Sequence, residues 1–501
     1  MTRPRLRLLA RNTIVNLAGQ AAPLAAAIVA IPFLVKALGA ERFGMLSLAW
    51  VLVGYFGLFD LGLGRALTHA IAQRAGASEP EELSALVRKG LAAMLVLGAV
   101  AGAAMFILAP WLSTDVLRVS KDLQPESISA LRILAACLPF VTVTAGLRGI
   151  LEAKSAFVWV NAIRIPQGLL TFLAPMAVAA FTPALAPLAA ALALLRVAAV
   201  LAHLVLCMQF SPELFAKAHG AKTGVRKLLT FGAWLTVSNI VGPLMVYSDR
   251  FVLGATVGLS AVAYYSAPYE VVTRLWLIPA ALTAVIFPAL SAQLVAEPAR
   301  ALHIYRWSIK FVFLSIYPCV LVLAFLAPDW LGIWLGAEYA KQSAGVARLL
   351  ALGVLVNCLA NVPFTLLQSA GRADLTAKLH VVEVPVYFAL LLWLAATMGI
   401  DGAALAWSLR CGVDALVLFV LARRYLPKPA PVLSSAQLAS VGLLMLLIAA
   451  AAVPTLAPWR WTLLSVCALL FGGLSWFVLL SPAERSLVRH PWLMKDTLSR
   501  S

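Results

Sequence analysis

Apolar residues along this chain come in blocks of roughly 20 or more, each closed by a proline, a glycine or a cluster of charges. They do not alternate with polar residues at every second position. A block of that length is what a helix needs to cross about 30 Å of hydrocarbon, whereas a barrel strand needs only about 10 alternating residues. The pattern therefore predicts an all-α, polytopic membrane protein with about 14 transmembrane helices. The first block, from Asn12 to Leu38, is too long for the apolar core of a secretory signal and is expected to remain as the first span.

Composition agrees. The chain has 501 residues, 62% of them hydrophobic and only 12% charged, against about 25% charged in soluble domains. Its net charge of +18 comes from 39 Lys and Arg against 21 Asp and Glu. Most of the basic residues fall on one side of the predicted membrane, including Arg3, Arg5, Arg7 and Arg11, then Lys217, Lys222, Arg226 and Lys227, and Arg485, Arg489, Lys495 and Arg500. Cytoplasmic loops retain such an excess, so both termini are placed in the cytoplasm. The charge is read as a topogenic and anionic-lipid signal, not a nucleic-acid footprint, because no soluble basic domain accompanies it. The six cysteines lie inside predicted spans without metal-ligand spacing and are expected to be buried small hydrophobes. The longest outer loops, near Ser113 to Glu126 and Asp329 to Gln342, leave no room for a soluble catalytic domain.

Short matches recur in chain order at a spacing of 214 to 219 residues, as expected of a parallel repeat. Leu108 to Pro110 returns as Leu326 to Pro328, Gly39 and Ser47 as Gly258 and Ser266, Arg132 as Arg348, and AALALLR ending at Arg196 as AALAWSLR ending at Arg410. Six helices per copy is an even number, so the copies enter from the same side about a pseudo-twofold along the membrane normal. The predicted organisation is a six-helix lobe at 1–215, a second at 216–430, and two further helices with a cytoplasmic tail at 431–501.

Charges inside the spans carry the candidate chemistry. The basic set is Arg65, Arg132, Arg164, Arg196, Arg250, Arg274, Arg348 and Arg410; the acidic set is Asp60, Asp249, Glu270, Glu383 and Asp414. Each costs on the order of 3 kcal/mol at mid-bilayer, so each should face water or a partner. Arg65, Arg132 and Arg348 lie near span ends, where snorkelling explains them. Glu270 with Arg274, and Arg410 with Asp414, stand four apart and can pair on one helix face. Arg164 and Glu383 occupy matched positions two residues before a proline, with opposite charge. Arg196 and Arg410 are matched and alike, so the repeat doubles a basic excess suited to phosphate or pyrophosphate. Asp60 is a candidate cation or proton site, weighed against an acid bonded to Arg65. Asp249 and Arg250, in YSDRFVLG, sit near the outer end of the seventh span and are read as a gate or lobe contact, with Arg250 reaching toward water or lipid phosphate. No G-x-x-x-x-G-K-[ST] occurs, so no P-loop holds ATP. No cofactor or metal site is expected.

NTIVNLAGQ, IPFLVKALGAERFGMLSLA, FDLGLGRALTHAIA, SDRFVLGATVGLSAVAYYSAPYEV and FPALSAQ resemble the Wzx-type oligosaccharide flippases. Those belong to the multidrug/oligosaccharidyl-lipid/polysaccharide exporter superfamily. The resemblance implies two six-helix lobes around a cationic cavity, and transfer of a polyprenyl-pyrophosphate-linked sugar unit of O-antigen or exopolysaccharide from the cytoplasmic to the outer leaflet of the inner membrane. The additional helix pair is similar to that of lipid II flippases. On this reading Arg164, Arg196, Arg274 and Arg410 contact substrate, while Asp60, Glu270, Glu383 and Asp414 orient them or carry a coupling Na+ or H+. Membrane lipids are partners, and polymerase and chain-length proteins of the same pathway are implied. The competing readings are a cation-coupled multidrug antiporter, which calls for an acidic cavity, and a membrane-embedded polysaccharide polymerase or ligase, which calls for a large outer loop.

Overall fold

The computed structural model describes residues 3–55, 64, 67, 71, 80–154, 156–215, 245–427, 434–449 and 459–489. These residues are helical with short turns, and no strand occurs among them. Nine of the described helices are long and apolar enough to cross a membrane, or ten if the bent pair Leu259–Thr283 and Val285–Ala296 is taken as one span. The chain is a multi-pass membrane protein of the all-α class. Asp60 and Arg65 lie outside the described residues.

The first compact unit is Met1–Ser266. It contains α1 (Arg3–Tyr55), α2 (Pro80–Trp111), α3 (Gln124–Ala136), α4 (Leu138–Ala153), α5 (Phe157–Ala179), α6 (Leu185–Phe210) and the start of α7 (Leu259–Val272). α1 packs on α5, α2 on α3 and α4, and α6 on α3, α4 and α5. α2, α4 and α6 share an apolar centre that includes Leu83, Val87, Leu147, Ile150, Val200 and Cys207. At one end Arg42 grips Glu126 through Nη2 at 2.9 Å and Nε at 3.2 Å, and Glu126 also accepts the backbone N–H of Leu185. One carboxylate so ties the starts of α3 and α6 to α1.

The second unit is Ala267–Ser501. It holds α8 (Leu277–Ala296), α9 (Pro298–Phe325), α10 (Ala327–Leu335), α11 (Ala337–Ser369), α12 (Ala373–Ala422), α13 (Ser435–Ala449), α14 (Arg460–Leu474) and α15 (Pro482–Arg489). α11 packs on α8, α9, α10 and α12. The segment expected as an outer loop near Asp329 to Gln342 is instead helical, α10 running into α11 through a single break at Gly336. Pro328 in the first turn of α10 suits a helix start, because its missing N–H has no intrahelical partner to lose.

α1 and α12 are each two helices joined end to end, at Gly39 (φ 72°) and Gly399 (φ 61°). Left-handed backbone costs an L-residue with a Cβ roughly 1–2 kcal/mol, and glycine escapes that cost. Both glycines face open space, with no atom within 4 Å of an added Cβ. Gly39→Ala or Gly399→Ala should thus lower stability by about 1–2 kcal/mol through backbone conformation alone, seen as a lower melting temperature in detergent without a change in helix content. The matched Gly258 also has positive φ, 122°, and the matched serines Ser47 and Ser266 are both buried. Arg118 (φ 45°) stands at the position matched by Gly336 (φ 98°), so there the first copy bears the strain with an arginine.

Within the second unit the additional helix pair and α15 are fastened to α9 and α10. Arg460 donates to Asp329 at 2.9 Å, Tyr317 donates to the Leu444 carbonyl at 3.1 Å and stacks on Phe471, and Lys310 donates to Glu484 at 2.7 Å. Burial disfavours the charge on Glu484, but Lys310 and the Ser481 N–H and hydroxyl outweigh it and hold the carboxyl below its ordinary value of 4.5. A depressed value adds stability that is complete above the unfolded value and lost as pH falls through the folded one. α15 should accordingly loosen below about pH 4.5, read as faster hydrogen exchange at 482–489, and Lys310→Ala should weaken that pH dependence, leaving the part due to Ser481.

Candidate functional site

The two halves of α12 carry the densest group of buried charge among the described residues. His380 Nε2 lies 3.8 Å from Asp414 Oδ1, though 34 residues of straight helix would span about 50 Å. The break at Gly399 is what allows it: the second half folds back along the first. His380, Glu383 and Tyr387 share one face of the first half by their three- and four-residue spacing, and Asp414 meets them from the second. One ligating atom from each of His380, Glu383 and Asp414 lies within 4.8 Å of the others. Phe364 stacks on the His380 ring at 6.0 Å and sets its plane.

Glu383 is 7% exposed and Asp414 5%, and neither oxygen of Glu383 has a hydrogen-bond partner among the described residues, nor has Asp414 Oδ1. Buried carboxylates without donors are costly, and such groups ordinarily have a partner. Two carboxylates and an imidazole facing one another form a set that can hold a cation or a proton. No metal site was expected, and His380 was not singled out. The signal was there in its position three residues before Glu383, which puts both on one helix face.

The expected ion pair between Arg410 and Asp414 does not form. Arg410 instead lies over the Tyr387 ring at 5.6 Å and donates toward Cys411 Sγ at 3.6 Å, leaving its Nε without a partner among the described residues. Spacing permitted the bridge, but an aromatic face within reach competes for a guanidinium. The pair between Glu270 and Arg274 does form: Arg274 Nη2 donates to Glu270 Oε2 at 2.6 Å and its Nε to the Glu270 carbonyl at 3.1 Å.

In the first unit, Arg196 on α6 is half-buried near Cys137, and its Nε has no partner among the described residues. Arg164 on α5 is exposed. Asp249 and Arg250, on the helical stretch 245–256, are both enclosed. Tyr265 donates its hydroxyl to Asp249 Oδ2, and the Arg250 guanidinium lies over Tyr247 at 5.5 Å with the residue 2% exposed. The expectation that Arg250 reaches toward water or lipid phosphate is therefore corrected: it is a packed side chain, held by an aromatic face. Cysteine burial also holds with one exception, Cys319, which is exposed.

Residues 9–293 match the family described as "Polysaccharide biosynthesis protein". The chain is 32% identical to the "Putative O-antigen transporter" of Shigella flexneri over 81% of its own length and 96% of that protein's. Among solved structures, it is similar to the lipid II flippase MurJ in an inward closed conformation, with a TM-score of 0.67, 12% identity, and coverage of 92% of this chain and 98% of that one. A multidrug resistance MATE family transporter in an inward-facing conformation matches with a TM-score of 0.64 and 16% identity, over 82% of this chain and 97% of that one. The chain belongs to the polysaccharide biosynthesis protein family, on a fold shared with the MOP superfamily transporters.

Proposed function

We propose that this protein is a flippase, not an enzyme, and carries a polyprenyl-pyrophosphate-linked oligosaccharide from the cytoplasmic to the outer leaflet of the inner membrane. The observation that carries this reading is the 32% identity spanning nearly the whole of a relative named as an O-antigen transporter. Lobes 1–215 and 216–430 would alternate access to a cationic path, with both termini in the cytoplasm. Moving a pyrophosphate through a membrane without compensation is prohibitive, so cations must replace its water. Arg196 and Arg410 suit that task, because neither is engaged in an ion pair among the described residues. Arg164 is a third candidate. Glu383 and Asp414 with His380 are the proposed site of a coupling Na+ or H+.

Reconstitution into liposomes with a labelled polyprenyl-pyrophosphate oligosaccharide tests this directly. Leaflet transfer that depends on the protein and responds to a sodium or proton gradient is expected; no transfer over protein-free liposomes overturns the reading. A second reading, a cation-coupled drug antiporter, is favoured by the acidic pair on α12 and by the MATE fold. Saturable binding of a cationic dye together with failure to move the lipid would select it.

A further inference from the structure

Where α7 meets α8 the helix tightens into a 3₁₀ turn at Thr273–Trp276. Short 3₁₀ pieces within a helical span often mark a functional position. Arg274 in this turn pairs with Glu270 just before it, and their side chains keep 30% and 27% of their surface exposed. A charged pair so open inside an apolar span faces water, not acyl chains, since lipid exposure would cost several kcal/mol per charge. Beside it is an aromatic wall. Tyr269 meets Trp276 edge-on at 6.4 Å and Trp407 at 6.2 Å, and the two indoles lie 6.3 Å apart. Trp407 is fully buried and Trp276 half-buried.

Neither indole N–H, of Trp276 or of Trp407, has an acceptor among the described residues. A buried tryptophan ordinarily finds one, and a desolvated donor left without an acceptor costs about 1–3 kcal/mol. The site thus offers the half-exposed ring of Trp276, supported from behind by the buried Tyr269 and Trp407, with a carboxylate acceptor and a guanidinium donor one turn away. A pyrophosphate fits this poorly, because Glu270 already neutralises Arg274. A pyranose ring fits well: its C–H face lies on the exposed part of the Trp276 ring, its hydroxyls accept from the guanidinium, and they donate to the carboxylate.

From this we infer that Glu270, Arg274 and Trp276, backed by Tyr269 and Trp407, form a subsite for the sugar part of the substrate. The inference rests on the flippase reading and divides its labour. Arg274 leaves the group of pyrophosphate contacts and becomes a specificity-determining residue for the oligosaccharide, while Arg196 and Arg410 serve the pyrophosphate.

The test compares binding of two lipids to the purified full-length protein: undecaprenyl pyrophosphate bearing the oligosaccharide isolated from the host's membranes, and bare undecaprenyl pyrophosphate. Trp276→Ala and Glu270→Gln should each weaken binding of the sugar-bearing lipid about tenfold and leave the bare lipid's affinity as it was. Trp276→Phe keeps an aromatic face but sheds about half of the indole's stacking area, so a loss of about threefold is expected even if the alanine variant misfolds. Equal weakening of both lipids, or of neither, overturns the sugar subsite and leaves the flippase reading standing. If the unaltered protein binds neither lipid, the flippase reading fails and the subsite fails with it.

Discussion

Arg196→Ala and Arg410→Ala are each expected to cut leaflet transfer of the lipid-linked oligosaccharide by about ten- to a hundredfold, the loss of one charge-assisted hydrogen-bonding group to pyrophosphate. Both proteins should still fold. Each arginine has a buried Nε without a partner among the described residues, and for Arg196 truncation strands no opposite charge; Arg410 also offsets the buried Glu383 and Asp414 carboxylates, so its alanine variant is checked for folding before transfer is scored. Arg410→Ala gives up its stacking on Tyr387, worth about 1 kcal/mol, which is small beside the functional loss. Lysine at either position should recover only part of the rate, because it supplies charge without the planar fork that meets two phosphate oxygens at once. Transfer is measured in proteoliposomes holding equal amounts of correctly oriented protein. Undiminished transfer in both alanine variants would remove these residues from the path.

How much of this was legible beforehand depends on the distance over which a side chain is decided. The helical class follows from local pattern, and the repeat's match of Gly39 with Gly258 returns as a positive φ at both glycines. The Glu270–Arg274 pair is also local, set by one turn of helix. Arg410 was not, because its choice between Asp414 and Tyr387 depends on how the first half of α12 lies against the second. The same return at Gly399 brings His380 to Asp414, a neighbour 34 positions away that helix periodicity cannot supply. Arg250 shows the limit from the other side. An arginine near a span end snorkels when water is in reach, yet here Tyr247 and close packing enclose it, a fact that belongs to tertiary structure.

Glu383→Gln and Asp414→Asn should separate stability from coupling, and in opposite directions. Two ionised carboxylates within 4.8 Å repel by at least about 3 kcal/mol at an effective dielectric constant of 20, and no donor among the described residues relieves the oxygens of Glu383. A cation or proton held between them removes the repulsion, and that difference is free energy an ion gradient can work through. An amide at Glu383 removes the charge permanently and can donate to Asp414. Glu383→Gln is therefore expected to stabilise the ion-free protein by about 1–3 kcal/mol, seen as a higher melting temperature in ion-depleted buffer, and to abolish the response of transfer to the coupling gradient. Asp414→Asn should uncouple in the same way with a smaller gain, since it also gives up its electrostatic attraction to His380. Added sodium, or a lower pH if the proton is the coupling ion, should raise the melting temperature of the unaltered protein and not that of either variant. A Gln variant that is less stable, yet still follows the gradient, would mean that Glu383 is held by a fixed partner and that coupling lies elsewhere.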